Sequence, residues 1–510
     1  MRAALTHQLQ SRWADARHSL LQVAELYWWK DNPLGRFLLL AIVLVSALVI
    51  GYLASGYQLY ILDLPRFLGI LALGFLLPVF LKDASWALMA LIFIFPFIFL
   101  SEVTFFGVTL FNVVGALLVG AWLSHVLLFR KPIVYERAMW LLVIAFAIMV
   151  ASSAYAGLTD PVIRTLFRLF QLFVLFFLVV QIVDSEKALR RVGWAFILST
   201  SLSALLSILA FIFAWDLRPG PGDLFTSRLA GGGLVTQFHG VVGGTSATGL
   251  QMVLASIFVF QYLTLYKEPI IRYLLLILLP ILLGALLITV NLTSLLIFLI
   301  VIPLVWRGGS VSFTEVILRW GIVGLVLFVA LYFAFDSFRV RLDAQVDRIQ
   351  NANPAKWGSE RGELWIAGYK TAMEKPLLGV GAGNAYTDML KYVDPELVRR
   401  RFSNLQPGER ALDPHNSYLG IAANYGWPTL GILLIFFTAT IRKFYRALKK
   451  VPRDHPSSVL GKIILLLLLA TFLASMAGDI HENMQLWLFL GLAVAFVRIA
   501  QRQQALLPHR

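Results

Sequence analysis

The chain has 510 residues, 59% of them hydrophobic and only 14% charged, where a soluble domain carries about 25% charged residues; the deficit runs along the chain, which excludes a soluble domain on one anchor. A net charge of +15 would suggest nucleic acid in a soluble protein, but in so apolar a chain it reads as Lys and Arg held beside anionic lipid headgroups, with no nucleic acid expected. The absence of cysteine excludes disulfides, thiolate metal sites and a cysteine nucleophile.

Residues 1–36 are polar and basic, too long for a cleavable signal peptide, and no small-residue cleavage site follows the first apolar run. From Phe37 onward, apolar runs near the length that crosses about 30 Å of hydrocarbon recur. Spans are predicted near 37–55, 66–81, 85–101, 106–128, 138–157, 165–183, 192–215 and 246–266. The stretch from Tyr273 to Trp306 is too long for one tilted helix. Asn291, Thr293 and Ser294 interrupt it, so it divides into 273–290 and 292–306. Further spans follow at 320–335, 427–441, 463–478 and 486–500.

The expected fold is an all-α membrane protein of about fourteen transmembrane helices with a large, partly helical external loop. Its parts are a cytoplasmic segment 1–36, a bundle of about eleven helices over 37–335, the loop 336–426, the C-terminal helices 427–500 and a cytoplasmic tail 501–510. Short-loop charge sets the orientation. With the N-terminus inside, the inside loops hold most of the Lys and Arg, including Arg442, Lys443, Arg446, Lys449, Lys450, Arg453 and Lys462. The short outside loops keep only Arg66, Arg164, Arg218 and Arg228. Two outside loops are large enough for chemistry: Asp216 to Gly244, with glycines at Gly231 to Gly233, and the 336–426 loop. No internal repeat is visible.

The large loop opens with an amphipathic segment, Phe338 to Ile349, and continues Gly358-Ser359-Glu360-Arg361-Gly362-Glu363-Leu364-Trp365. Ser359 suits an N-cap and the two glutamates suit a first helical turn. The helix is predicted to run to Lys375, with Pro376 stopping it. Arg361 in that first turn would stand beside free backbone N–H groups, an arrangement matched to phosphate. Composition alone favours a solvated arginine paired with a neighbouring glutamate. The run Pro376-Leu-Leu-Gly379-Val-Gly381-Ala-Gly383-Asn384 follows a helix rather than a strand, so it reads as a tight glycine turn and not a dinucleotide fingerprint. Asp413-Pro-His415-Asn416-Ser-Tyr418-Leu419 ends the loop. His415 can exchange a proton near neutral pH, although a lone loop histidine is more often structural. His481-Glu482 lacks the second histidine of a zinc motif and reads as an external loop.

Taken in order, Gly358-Ser-Glu-Arg361 with Leu364-Trp365, then Glu374 to Asn384, then His415 to Leu419 and Tyr425-Gly426-Trp427 resemble the signature loop of the O-antigen ligase and polymerase superfamily. The resemblance implies a multi-pass protein of the bacterial inner membrane with its active loop in the periplasm. It implies transfer of a glycan from undecaprenyl pyrophosphate to lipid A-core, in ligases, or to a second lipid-linked unit, in polymerases. By motif, Arg361 resembles the arginine that contacts the pyrophosphate and His415 the histidine near the acceptor. Trp365, Asn416, Tyr418 and Asp413 fall in or beside the same motifs and are expected in the substrate site.

Ligases carry a Ser-Arg-Gly-like motif about 70 residues before the helix-start arginine. This chain reads Asn291-Leu-Thr293-Ser294-Leu295 there, without arginine. Arg228 would have to substitute, or equally is a headgroup contact, and the departure favours an O-antigen or exopolysaccharide polymerase. An inverting transfer is expected, with no cofactor and no metal: an acceptor hydroxyl attacks the anomeric carbon, pyrophosphate leaves against fixed arginines, and His415 orients the hydroxyl or takes its proton. Asp413 and Glu409 could assist. The rival class is a transporter or flippase, which often carries repeats and broken midplane helices; Arg168 is the clearest intramembrane charge that reading would use.

Overall fold

The computed structural model describes residues 79–80, 83–97, 104–105, 108–213, 225–230, 233–238, 244–305, 361–395, 398 and 414–506, with isolated positions between 329 and 346. The spans expected at 37–55, and nearly all of those at 66–81 and 320–335, lie outside these residues, as does most of the amphipathic segment 338–349. Among the described residues nine helices are long and apolar enough to cross a membrane. The chain is a multi-pass, helical membrane protein. Its only regular β-structure among the described residues is two short hairpins.

Contacts divide the chain into two units, 1–134 with 190–224, and 135–189 with 225–510. In the first, α1 (Ser85–Ile94) is a short apolar helix. A two-residue-per-strand hairpin, β1 (Thr104–Phe105) with β2 (Val108–Thr109), leads into α2 (Leu110–Leu127). The Thr109 hydroxyl caps α2 by accepting from Asn112 N at 3.3 Å. Most of α5 (Glu186–Phe213) belongs here too. Its Arg191 donates to Ser85 Oγ at 3.0 Å and lies over the Trp86 ring. Arg191 also pairs with Asp83, the residue whose carboxylate caps α1 through Ser85 N.

The second unit holds α3 (Met139–Ala156), α4 (Asp160–Ile182), a hairpin of β3 (Phe225–Ala230) and β4 (Gly233–Phe238), α6 (Thr245–Leu265), α7 (Pro269–Ile288) and α8 (Leu292–Val305). Further along the chain come α9 (Arg361–Glu374), α10 (Ala385–Asp388), a 3₁₀ turn at Met389–Tyr392, α11 (Ser417–Lys450), α12 (Pro456–Ser475), a 3₁₀ turn at Ile480–Glu482 and α13 (Met484–Leu506). In the hairpin Ala230 pairs with Gly233, inside the loop that the sequence marked by its glycine run; 231 and 232 lie outside the described residues. The helix α13 is the most buried of the unit. Its Trp487 packs edge-on to Phe173 of α4 with centroids 4.6 Å apart. By contrast α3 and α7 keep rows of exposed apolar side chains such as Trp140, Val143, Tyr273 and Ile277, as helices facing lipid do.

The division of Tyr273 to Trp306 falls where the polar residues predicted it. Thr289 closes α7 through Leu286 O, Val290 takes a left-handed φ of 47°, and Asn291 caps α8 through Ser294 N at 2.8 Å. A β-branched residue at positive φ is strained, so the reversal is held by its surroundings: Asn291 Nδ2 also reaches Ser246 Oγ at 2.8 Å. Two expected boundaries shift. The loop was expected to run to Gly426, but α11 already begins at Ser417 and continues through a kink. The α1 helix ends at Ile94, short of the expected 101.

Hydrogen bonds within this unit sort the helix ends into two groups. Contacts among Ser153 and Ala382, Thr293 and Arg361, and Ser417 and Gly478 mark one end. Contacts between Glu136 and Lys443, Glu186 and Gln503, and Gln261 and Val305 mark the other. Both groups are reached by alternate helix termini, as an up-and-down bundle requires.

Candidate active site at the Ser417 end of the bundle

The site is built on a kink. In α11, Gly426 has φ 83° and ψ 161° inside an otherwise helical run. The next residue but one is Pro428, which has no N–H to return to Asn424 O. Trp427 N is turned away to Pro376 O at 2.9 Å. Two helix carbonyls, Ala423 and Asn424, therefore lose their intrahelical donors. The glycine turn supplies new ones: Val380 N donates to Ala423 O at 2.9 Å and Gly381 N to Asn424 O at 2.8 Å. Ser152 Oγ of α3 adds a second donor to Asn424 O. The Asn424 side chain accepts from Ala385 N and donates to Gly420 O.

This crossing is possible only without side chains. A Cβ on Gly426 would stand 2.2 Å from Leu377 O, and one on Gly379 (φ +69°) 2.5 Å from Asn424 O. Gly379 and Gly426 are thus required by close approach and by positive φ together. The tight glycine turn expected from the sequence is present, and its purpose is to lock the loop across the kinked helix.

The α9 helix runs from Arg361 to Glu374, one residue short of the expected Lys375 and ahead of Pro376; the expected N-cap Ser359 lies outside the described residues. Its inner face packs Leu364 and Ala367 on Met389 and Val393. Glu363 caps the far strand of the loop by accepting from Asp394 N at 2.6 Å. Below it, Tyr392 donates to the Glu374 carboxylate, a bond that raises the phenol above its ordinary pKa. Lys391 is raised by its bond to Asp388. A Cβ on Gly368 would lie 3.2 Å from Pro414, so α9 runs directly over the turn that carries His415. Arg361 lies two turns, about 10 Å, along the same helix from that crossing.

Arg361 Nη1 donates to Thr293 Oγ1 at 3.0 Å. Thr293 belongs to the Asn291–Leu295 stretch, which lacks the arginine of the ligase-like motif. The guanidinium is half-buried at the α8 N-terminus, whose free N–H groups and dipole favour anions. His415 is half-buried in a left-handed conformation, φ 48°, a placement that costs a non-glycine residue of order 1 kcal/mol or more and must be held by its neighbours. Asn416 holds it: its Oδ1 accepts from Tyr418 N at 3.0 Å and Leu419 N at 3.1 Å, capping α11. Tyr418 is half-buried and Trp365 is 39% exposed on α9. Arg228 lies in β3 opposite Val235. Asp413 and Glu409 lie outside the described residues.

The loop between α12 and α13, read from the sequence only as an external loop at His481-Glu482, is joined to this site. Ser417 Oγ donates to Gly478 O at 2.7 Å and accepts from Ile480 N at 2.8 Å, fastening that loop to the residue two after His415. It brings Asp479, which accepts from Tyr386 Oη at 3.1 Å. It also buries His481 and Glu482, with Glu482 3.6 Å from Arg168 Nη1. A Cβ on Gly420 would meet Asp479 at 3.2 Å and His481 at 3.4 Å, so this close packing again rests on a glycine. The signal available in the sequence was the Gly478-Asp479-Ile-His481-Glu482 run, two acids and a histidine between two apolar spans. Among the described residues no group of three or more His, Asp or Glu side chains is disposed to hold a metal ion.

These observations define a class: a polytopic membrane protein in which a helix-start arginine and a histidine at positive φ stand at one end of the helical bundle. Residues 275–435 match the family model of O-antigen ligase, which spans α7, α8, α9 and the kinked part of α11. The match supports the O-antigen ligase and polymerase superfamily resemblance and, with it, a glycosyltransferase-like role in cell-surface polysaccharide assembly. No curated protein matches the chain.

Proposed function

We propose that the chain is an O-antigen or exopolysaccharide polymerase of the inner membrane, acting at the periplasmic face on glycans carried by undecaprenyl pyrophosphate. The observation that carries this reading is the contact of Arg361 with Thr293. It sets a bidentate-capable guanidinium at a helix N-terminus, where a leaving pyrophosphate gains charge and fixed donors are worth most. The acceptor hydroxyl attacks the anomeric carbon, and the bond from that carbon to the phosphate oxygen breaks with its electron pair. The hydroxyl proton passes to His415, and the anomeric configuration inverts. The step needs no metal, since the arginine supplies the charge.

Thr293 favours a polymerase over a ligase. A neutral hydroxyl stands where ligases carry a second cation, so the donor's other phosphate contact must come from elsewhere, with Arg228 the candidate. The loop 336–426 is the catalytic part and the helices around it the scaffold. Trp365 and Tyr418 offer aromatic faces for sugar rings. Asn416 acts by fixing the α11 start, and Asp413 stands beside His415 in sequence.

The test is the glycan profile of a deletion strain. A polymerase mutant loses long-chain polymer and keeps single repeat units. Full-length polymer accumulating on the lipid carrier with none on lipid A-core would make the chain a ligase. Unchanged glycan in both pools would favour a transporter. Complementation with Arg361→Ala should fail while Arg361→Lys restores little, because a point charge does not reproduce the guanidinium fork.

A further inference from the structure

The opposite end of α11 carries a feature that glycan transfer does not use. A groove of about 820 Å³ runs between α11 and α13, a volume in the range of ligand sites. Toward the bundle middle its walls are apolar: Leu434, Ile435, Ala439 and Val497. Toward the Lys450 end it is lined by Arg442, Arg446 and Lys450, with no acidic residue in the lining. These cations recur every four residues, so they stand on one face of α11 over about 12 Å. All three are exposed. A fourth lining cation, Lys443, is already engaged by Glu136 at 2.6 Å.

We propose that this groove is a binding site for an anionic diacyl phospholipid, with the headgroup phosphate on Arg442, Arg446 and Lys450 and an acyl chain along Leu434, Ile435, Ala439 and Val497. Charge and polarity together select that occupant. A free anion would be served by the cations but not by the apolar upper groove, and a neutral lipid by the reverse. Basic pockets between helices at the positive-inside face are where anionic headgroups bind. The chain's own flanking segment is a poor competitor. Residues 1–36 carry Arg2, Arg12, Arg17, Lys30 and Arg36 against Asp15, Glu25 and Asp31, leaving them positive toward a positive groove. A second copy facing the groove with its own cations meets the same repulsion.

The experiment uses the full chain, purified in neutral detergent and stripped of lipid, and titrated with phosphatidylglycerol, phosphatidylcholine or inorganic phosphate while thermal unfolding is followed. Phosphatidylglycerol should raise the midpoint saturably, and the other two should not. The triple variant Arg442→Gln, Arg446→Gln, Lys450→Gln should weaken that binding at least tenfold. Ala439→Phe, which fills the apolar part and leaves every charge, should weaken it by a comparable factor. A charge-matched control outside the groove, Lys449→Gln, Arg453→Gln, Lys462→Gln, should bind as the parent does. Equal weakening in the control, an undiminished response in Ala439→Phe, or an equal response to inorganic phosphate would each overturn the proposal. Because Ala439→Phe removes no charge, the proposal stays falsifiable if the triple variant does not fold.

Discussion

The two ends of α11 are made to opposite rules. At the Ser417 end the polar groups that build the crossing are committed: Asn416 caps the helix, Ser417 ties down the α12–α13 loop, and Asn424 takes part in four hydrogen bonds through backbone and side chain. At the Lys450 end Arg442, Arg446 and Lys450 stand exposed in a row along an open groove. A transfer site needs donors fixed before charge develops, and the first end has them. A lipid site needs only complementary charge and a greasy wall. The lesson is that one helix serves both, and that density of commitment, more than residue type, separates chemistry from attachment.

The largest effect should come from breaking the crossing that fixes the first end. Gly426→Ala adds a Cβ 2.2 Å from Leu377 O at a φ of +83°. Strain and overlap together should cost on the order of 3 kcal/mol or more, read as a lowered unfolding midpoint in detergent. Gly431→Ala, five residues along the same helix with nothing within 4 Å, should leave the midpoint unchanged or slightly raised. If both variants unfold alike, the crossing is not what holds the kink.

Next comes chemistry without loss of structure. Arg361→Ala should lower transfer by about 10²- to 10³-fold with the protein still monodisperse. Lys449→Gln and Arg453→Gln, equal in charge change but at the other end, should stay within about threefold of the parent. Transfer from membranes carrying defined lipid-linked glycan measures both. A loss of the same size at both ends would turn the Arg361 effect into one of net charge.

Much of this was legible in the sequence because it rests on local chemistry. The span division at Asn291, the α9 start at Arg361 and its end before Pro376 follow from capping groups and a missing N–H. The glycine turn was legible as a turn but not as a clamp, since its partner carbonyls are some 40 residues away and are freed by Pro428, which reads locally as one more proline in an apolar run. The start of α11 at Ser417 was missed because Gly426 and Pro428 read as helix breakers ahead of the long apolar run, whereas the helix continues through them as a kink. Asp479, Glu482 and Arg168 were missed as a group because buried charges announce themselves only through partners far along the chain.

Ion pairs offer a finer contrast between the ends. Glu482 is 5% exposed and faces Arg168 at 3.6 Å. Arg168→Met removes one cationic partner of that buried carboxylate, which should cost about 2 kcal/mol after allowance for the half-exposed arginine. Adding Glu482→Gln should recover most of it, so the double variant is more stable than the single one. Additive losses would show that the two residues act separately. Asn416→Ala, which removes the α11 cap, should cost about 1 kcal/mol and shift transfer more than stability if His415 depends on that turn; the ratio of the two losses decides.

The smallest effect belongs to the pair at the open end. Lys443 Nζ lies 2.6 Å from Glu136 Oε2, closer than Arg168 lies to Glu482, yet the lysine is 48% exposed. Distance alone would rank this pair above the other. Solvent screening reverses the order, because water competes for both partners and holding a lysine in one rotamer costs side-chain entropy. Glu136→Gln should therefore cost no more than about 0.5 kcal/mol, and raising salt from 0.05 to 0.5 M should erase the difference from the parent as the screening length falls below 10 Å. The Arg168 variant's deficit should persist in the same salt series, since Glu482 is shielded from counterions. Thermal unfolding of both variants across that series tests the ranking. A salt-insensitive loss in Glu136→Gln larger than that in Arg168→Met would mean that the Lys450 end is as tightly built as the Ser417 end, and the contrast between them would fall.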